Sequence, residues 1–264
     1  RLRIASEQTK SVTLTHFLAH RAHAKTHTLI VLSSLLLVFF FIFYLAAGLK
    51  GIGIVLEFAF NIPYLTGIVA SAAVVMTYTM LGGYLAVALT DAMQGIFLLL
   101  MILLVPLTTW YNLPPETLHS IVPTTSVLSH SFSFTHIGTA LSTMFGWGLG
   151  YCGMPHVLTK FMSIDSAKNM KKAQYIGLAW QTIALGSSAL IGVLALSYFT
   201  TAPSSGEHLF MVLVTNQFTP LLAGFILCAI LAATISTLDA QLIVCATVIT
   251  RDLFQPRNST AQMR

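Results

Sequence analysis

LIVLSSLLLVFFFIFYLAAGL, the stretch from Leu29 to Leu49, runs without a charged residue through Phe39, Phe40 and Phe41. As a helix rising about 1.5 Å per residue it is about 30 Å long, the thickness of a bilayer's hydrocarbon core. The rest of the chain has the same character. Hydrophobic residues make up 56% of the 264 and charged residues 8%, and the mean hydropathy is +0.82. Soluble domains are about one quarter charged, and a chain this apolar has too little polar surface to face water. The sequence therefore predicts an all-α membrane protein.

Five further segments repeat the pattern, at about 62–81, 85–106, 137–158, 173–199 and 221–249, which makes about six transmembrane helices. Nothing alternates polar and apolar residues at the roughly ten-residue scale of a membrane barrel. Residues 1–28 are polar and rich in histidine and contain Glu7; with no short apolar core before a cleavage site, they do not read as a signal peptide. Counting Lys and Arg sets the orientation. With the start of the chain on the cytoplasmic side, twelve of the 13 basic residues lie inside and only Lys50 lies outside. Both termini of this chain are then cytoplasmic, and residues 1–28 form a cytoplasmic basic segment. The basic balance belongs to inner-leaflet loops, not to nucleic-acid binding. The outer segment 108–136 holds Pro114 and Pro115 and no Lys or Arg, and the outer loop 200–220 contains an apolar stretch, 209–214, that predicts a short interfacial helix.

Two carboxylates fall inside the expected spans, Asp91 and Asp239. Each costs about 2.5–3.5 kcal/mol on insertion scales, so each needs a polar cavity, a bound cation or a proton. Gln94 lies one turn beyond Asp91 on the same face. Around Asp239, Ser236 is three residues away on the same face, and Thr237 and Gln241 form an adjacent stripe, among the small residues Ala232, Ala233 and Ala240. Hydroxyls, a carboxylate and freed carbonyls are hard oxygen donors that suit Na⁺ or another hard cation. The competing reading has the hydroxyls bonding back to their own helix, and Asp91, two turns into its span, snorkelling to the interface. The run 146–156 (GWGLGYCGMPH) holds four glycines and a proline that weaken a continuous helix. Broken helices persist in membranes where protein or a water-filled cavity covers the backbone. Trp147, Tyr151 and Pro155, four apart, line one face able to enclose a small ligand; close helix packing and an aromatic interface belt explain the pattern equally well. His16, His20, His23 and His27 have helical metal-ligand spacing but no Cys or acidic partner nearby, and read as part of a basic juxtamembrane segment. Cys152, Cys228 and Cys245 form no CxxC pair and read as inert thiols.

These segments resemble the sodium/solute symporter family, most closely its bacterial sodium/proline members, along nearly the whole chain. Three ordered motifs carry the likeness. The first is Leu81-Gly82-Gly83-Tyr84-Leu85-Ala86-Val87 followed by Thr90-Asp91 and Gln94. The second is Gly146-Trp147-Gly148-Leu149-Gly150-Tyr151 with Pro155-His156 and Lys160-Phe161-Met162. The third is Leu231-Ala232-Ala233-Thr234-Ile235-Ser236-Thr237 with Gln241-Leu242 and Thr250-Arg251-Asp252-Leu253. The resemblance implies a five-plus-five inverted-repeat transporter in a bacterial inner membrane, with its site at the repeat interface. It implies a sodium site on Ala233, Ser236 and Thr237, a second cation site involving Asp91 and Asp239, and a solute face on Trp147, Tyr151 and Pro155. Ala240 stands where that second site has a hydroxyl, and Asp239 where some relatives have serine, which counts against a second ion. Against the family pattern the chain is expected to be an incomplete transporter domain over 1–264, a partial repeat whose partners include the missing helices of the same transporter. It is expected not to transport by itself.

The implied activity is sodium-coupled symport of a small solute, with proline the expected one and Na⁺ the co-transported ion; no organic cofactor and no enzymatic activity are expected. Two rivals stand beside it. An intramembrane aspartyl protease needs two aspartates sharing a proton at close range, but the Gly-x-Gly-Asp signature is absent before Asp239. A non-transporting membrane scaffold or sensor, or an inactive truncated symporter, would bind or signal without uptake.

Overall fold

The computed structural model describes residues 2–9, 11–23, 27–113, 134–199 and 206–254. Among them every regular element is helical. In chain order these are α1 (Leu2–Gln8), α2 (Leu14–Arg21), α3 (Thr28–Phe60), α4 (Tyr64–Asn112), α5 (Phe134–Gly153), α6 (Pro155–Met162), α7 (Met170–Tyr198), α8 (Gly206–Gln217) and α9 (Pro220–Val248). A π-helical turn, Ile249–Leu253, ends α9. Four stretches are long and apolar enough to cross a membrane: Thr28–Phe60, Tyr64–Asn112, Ala167–Ala195 and Pro220–Leu253.

The six expected spans map onto these helices with two differences. Spans 62–81 and 85–106 both fall on α4, which is interrupted at Gly83 (φ 60°, ψ −163°), a backbone region that only glycine adopts readily. The chain reverses there. Tyr78, before Gly83, bonds Asp239, while Val87 and Asp91, after it, line a cavity with Ala240. In an unbroken helix residues 78 and 91 would stand about 20 Å apart; here they meet adjacent positions of α9. The expected span 137–158 is also divided. Met154 (φ −67°, ψ 112°) separates α5 from α6, and Pro155 opens α6, where its missing N–H costs nothing.

Lys50, expected in an outer loop, lies instead within α3. A side chain on neighbouring Gly48 would meet Leu238, and one on Gly51 would meet Thr234, so Lys50 is level with the middle of α9. The stretch 209–214, expected at the interface, is helical within α8, but Met211, Leu213 and Val214 are buried. They pack with Val105, Ile191, Ala223, Ile226 and Leu227, so α8 covers the bundle.

α9 is the central helix, packed on α3 and on both limbs of α4, and α7 lies against α4, where the Trp180 indole donates to the Gly95 carbonyl. Burial is inverted relative to a soluble protein. Phe39, Phe40, Ile42 and Phe43 on α3 are exposed, while Ser34, Asp239, Gln241 and Asp252 are buried. Lipid, not water, tolerates such a surface.

Candidate functional site

The residues expected as ion ligands, Ala233, Ser236 and Thr237, lie in the middle of α9. The Ser236 hydroxyl donates to the Ala233 carbonyl at 3.2 Å and the Thr237 hydroxyl donates to the same carbonyl at 3.1 Å. Three hard oxygens thus converge on one side of one helix turn. Each hydroxyl bonds back to its own helix, as serines and threonines do inside helices, which uses its proton and leaves its lone pairs free to accept. Ala233 and Thr237, with Thr234 and Gln241, line a cavity of about 420 Å³ between α9 and α3, whose far wall is Tyr44, Ala47 and Gly48. The helices approach closely at Gly48, where a Cβ would stand 2.8 Å from a Leu238 methyl. Three oxygens are fewer than a hard cation takes, leaving the rest of its shell open.

One turn further on, Asp239 is fully buried. The Tyr78 hydroxyl donates to its Oδ2 at 2.5 Å, and its Oδ1 has no hydrogen-bond partner. Both polar atoms of the Gln241 amide are likewise unpartnered. Asp91 faces the same region from the second limb of α4, where its Oδ2 is 2.7 Å from the Lys160 ammonium of α6. Asp91 therefore already holds a cation, the end of a lysine side chain. Ala240 lies beside Asp91 in a small cavity with His156 and Lys160, and contributes no oxygen from its side chain.

The expected solute face is split. The rings of Trp147 and Tyr151 lie 6.5 Å apart on α5, both exposed, and α5 packs on little but α6 among the described elements. Pro155 lines a different cavity, beside Val12, Leu14 and Thr247. These three residues are not brought to the cavity that Ala233 and Thr237 line; the aromatic side chain there is Tyr44. Sequence reasoning missed Tyr44, whose only mark is a phenol at the end of a phenylalanine run.

Two more residues escaped the sequence reading. Tyr78 looks like any membrane tyrosine, and Asp252 looks like a helix-end carboxylate. Asp252 is nonetheless buried, accepting from the hydroxyls of Thr13, Thr15 and Ser34. No group of histidines, cysteines or carboxylates able to hold a metal occurs among the described residues; His16 Nδ1 lies 3.3 Å from the Ser11 hydroxyl. Cys228 and Cys245 are free thiols, and the Cys152 side chain lies outside the described residues.

The sequence profile of the sodium:solute symporter family matches residues 1–263. Among curated proteins, a sodium/proline symporter of Staphylococcus aureus strain bovine RF122 / ET3-1 is 36% identical over 263 residues, covering 97% of this chain and 51% of the relative. Sodium/proline symporters from Staphylococcus aureus and its strain JH9 are 35% identical over the same 97% and 51%. The chain thus spans about half the length of these relatives. No solved structure matches it.

Proposed function

The chain belongs to the sodium:solute symporter family, and from that premise we propose that it forms part of a longer transporter coupling sodium entry to uptake of a small solute, proline first. It is a multi-pass membrane protein by its family and by its long apolar helices. The observation that carries the proposal is the convergence of the Ala233 carbonyl with the Ser236 and Thr237 hydroxyls beside the cavity between α3 and α9. Sodium binds there, completing its shell with oxygens from parts of the transporter outside this sequence. Bridging α9 to them stabilises one facing state, and the ion's unequal affinity for the two states couples it to the solute. The membrane potential adds about 2.3 kcal/mol per charge per 100 mV.

One sodium is the proposed stoichiometry. Asp91 has Lys160 as counter-ion and Ala240 brings no hydroxyl, which weighs against a second ion at Asp91 and Asp239. Trp147, Tyr151 and Pro155, which lie apart in this chain on the two helices that Met154 separates, are proposed to contact solute in the longer transporter. The proposed location is a bacterial inner membrane, with both ends of this chain on the cytoplasmic side.

The test is sodium-dependent uptake of labelled proline in vesicles holding the full-length transporter. Ser236→Ala with Thr237→Ala is expected to raise the half-saturating sodium concentration at least tenfold. An unchanged sodium dependence would remove the site from α9. Proline binding without uptake would instead support a sensor.

A further inference from the structure

The N-terminal segment packs under the bundle in a way that the ion and solute residues do not require. Three hydroxyls from two elements reach one carboxylate. The Thr13 hydroxyl, at the N-cap of α2, donates to Asp252 Oδ1 at 3.0 Å. The Thr15 hydroxyl donates to Oδ2, and the Ser34 hydroxyl of α3 donates to Oδ2 at 3.2 Å. All four residues are buried, at 5%, 3%, 0% and 4% exposure for Thr13, Thr15, Ser34 and Asp252. Hydrogen bonds to an ionised carboxylate are about twice as strong as neutral ones, and burial strengthens them further. Arg3 forms a second anchor, its guanidinium donating to the Ile164 carbonyl in the turn after α6. Between the two anchors the apolar contact is a small cluster of Leu14, Phe17 and Met162, with Leu2, Ala5 and Leu158 packed against it.

This segment also walls a cavity of about 310 Å³. Val12, Thr13 and Leu14 form one side; Tyr84 at the α4 reversal, Pro155 of α6 and Val248 of α9 form others. The opposite rim is tied by a hydrogen bond between the Tyr84 and Ser163 hydroxyls. A wall held by a few polar bonds and one small apolar cluster is the part of such a cavity that opens at least cost.

We infer that residues 11–15 are a lid over this cavity and that Asp252 is its latch. The latch closes the lid by holding Thr13 and Thr15 against the end of α9, and the lid swings away when those two bonds are lost. Its use as a gate for solute rests on the transport reading above; the latch itself does not, and it is tested without sodium, proline or a membrane potential.

The experiment is the rate of labelling by a bulky polar maleimide in detergent. The target is Val248→Cys, a cavity-lining position only 1% exposed, with Cys152, Cys228 and Cys245 replaced by alanine. Asp252→Ala, and separately Thr13→Ala with Thr15→Ala, are expected to raise that rate at least tenfold. The same variants are expected to leave the rate at Val105→Cys unchanged; Val105 is fully buried in the cluster that α8 covers. Rates at Val248→Cys within twofold of the parent in protein that elutes as a single peak overturn the inference. So does an equal rise at Val105→Cys, which would mean general loosening. If Asp252→Ala aggregates, the threonine pair, which leaves Asp252 in place, decides alone. No sodium-dependent proline uptake in the parent transporter, with an intact labelling response, would count against the transport reading and leave the latch standing.

Discussion

Tyr78 and Asp239 are 161 positions apart and share a single hydrogen bond, yet that bond sets what the most buried carboxylate of α9 can do. A carboxylate removed from water and left without its donor is strongly destabilising, and a hydrogen bond to a charged group contributes about 1.5–3 kcal/mol. Bonds between membrane helices are often weaker, about 0.6 kcal/mol on average, because the unfolded state in lipid finds other partners. Tyr78→Phe is therefore expected to lower the unfolding free energy in detergent by about 1–2 kcal/mol, and Asp239→Leu is expected to remove most of that penalty. A double-mutant cycle on denaturant unfolding checks it; additive effects would mean the bond contributes nothing. The acidic partner was legible in the sequence, because a carboxylate in an apolar run is conspicuous. Tyr78 was not, since hydropathy does not distinguish a phenol turned inward from one at the lipid interface. Asp252 was hidden for a related reason: the hydroxyls that bury it are 218 to 239 positions away.

At the scale of elements, the reversal inside α4 depends on a conformation that residues with a Cβ avoid. Gly83 at φ 60° and ψ −163° sits where any other residue costs about 1–3 kcal/mol. No atom lies within 4 Å of where its Cβ would be, so the cost of Gly83→Ala is conformational and not a clash. Gly146→Ala and Gly148→Ala in α5 meet the same empty surroundings at helical positions. They are expected to be neutral or stabilising by about 0.5–1 kcal/mol. Gly83→Ala alone should lower the thermal midpoint in detergent; equal behaviour of the three variants would show that Gly83 is not strained. The two limbs were legible because two apolar runs flank a Gly-Gly pair. The burial of α8 was not, because a short apolar stretch reads alike whether it lies on lipid or on protein, and only the arrangement of Val105, Ile191 and Ile226 decides.

At the scale of the whole molecule, side-chain contacts fix which helix ends share a face. Thr13 and Thr15 bond Asp252, so the chain before α3 and the chain after α9 lie at one end of the bundle. Tyr84 bonds Ser163, and Lys160 pairs with Asp91; Val12 and Leu14 share a cavity with Tyr84 and Pro155. The α4 reversal and α6 therefore belong to that end too. Thr109 donates to Gln217, just before α9 begins, which puts the last turns of α4 at the opposite end. The chain must then cross back between Asn112 and Pro155, and α5 is the one described helix in that interval. Its 20 residues are about 30 Å long, enough to span, although it is not among the four clearly apolar stretches. If both limbs of α4 cross, and α3, α5, α7 and α9 with them, the crossings are even in number, as ends on one face require. We therefore expect Asn112→Cys and Lys168→Cys, in protein without other cysteines, to react with impermeant maleimide from opposite sides of the membrane. If the side rich in Lys and Arg near Lys168 is the cytoplasmic one, as the positive-inside rule leads us to expect, Asn112→Cys should label in intact cells and Lys168→Cys only after permeabilisation. Labelling of both from one side would mean that α5 does not cross, and the solute face proposed on Trp147 and Tyr151 would then lie outside the bilayer.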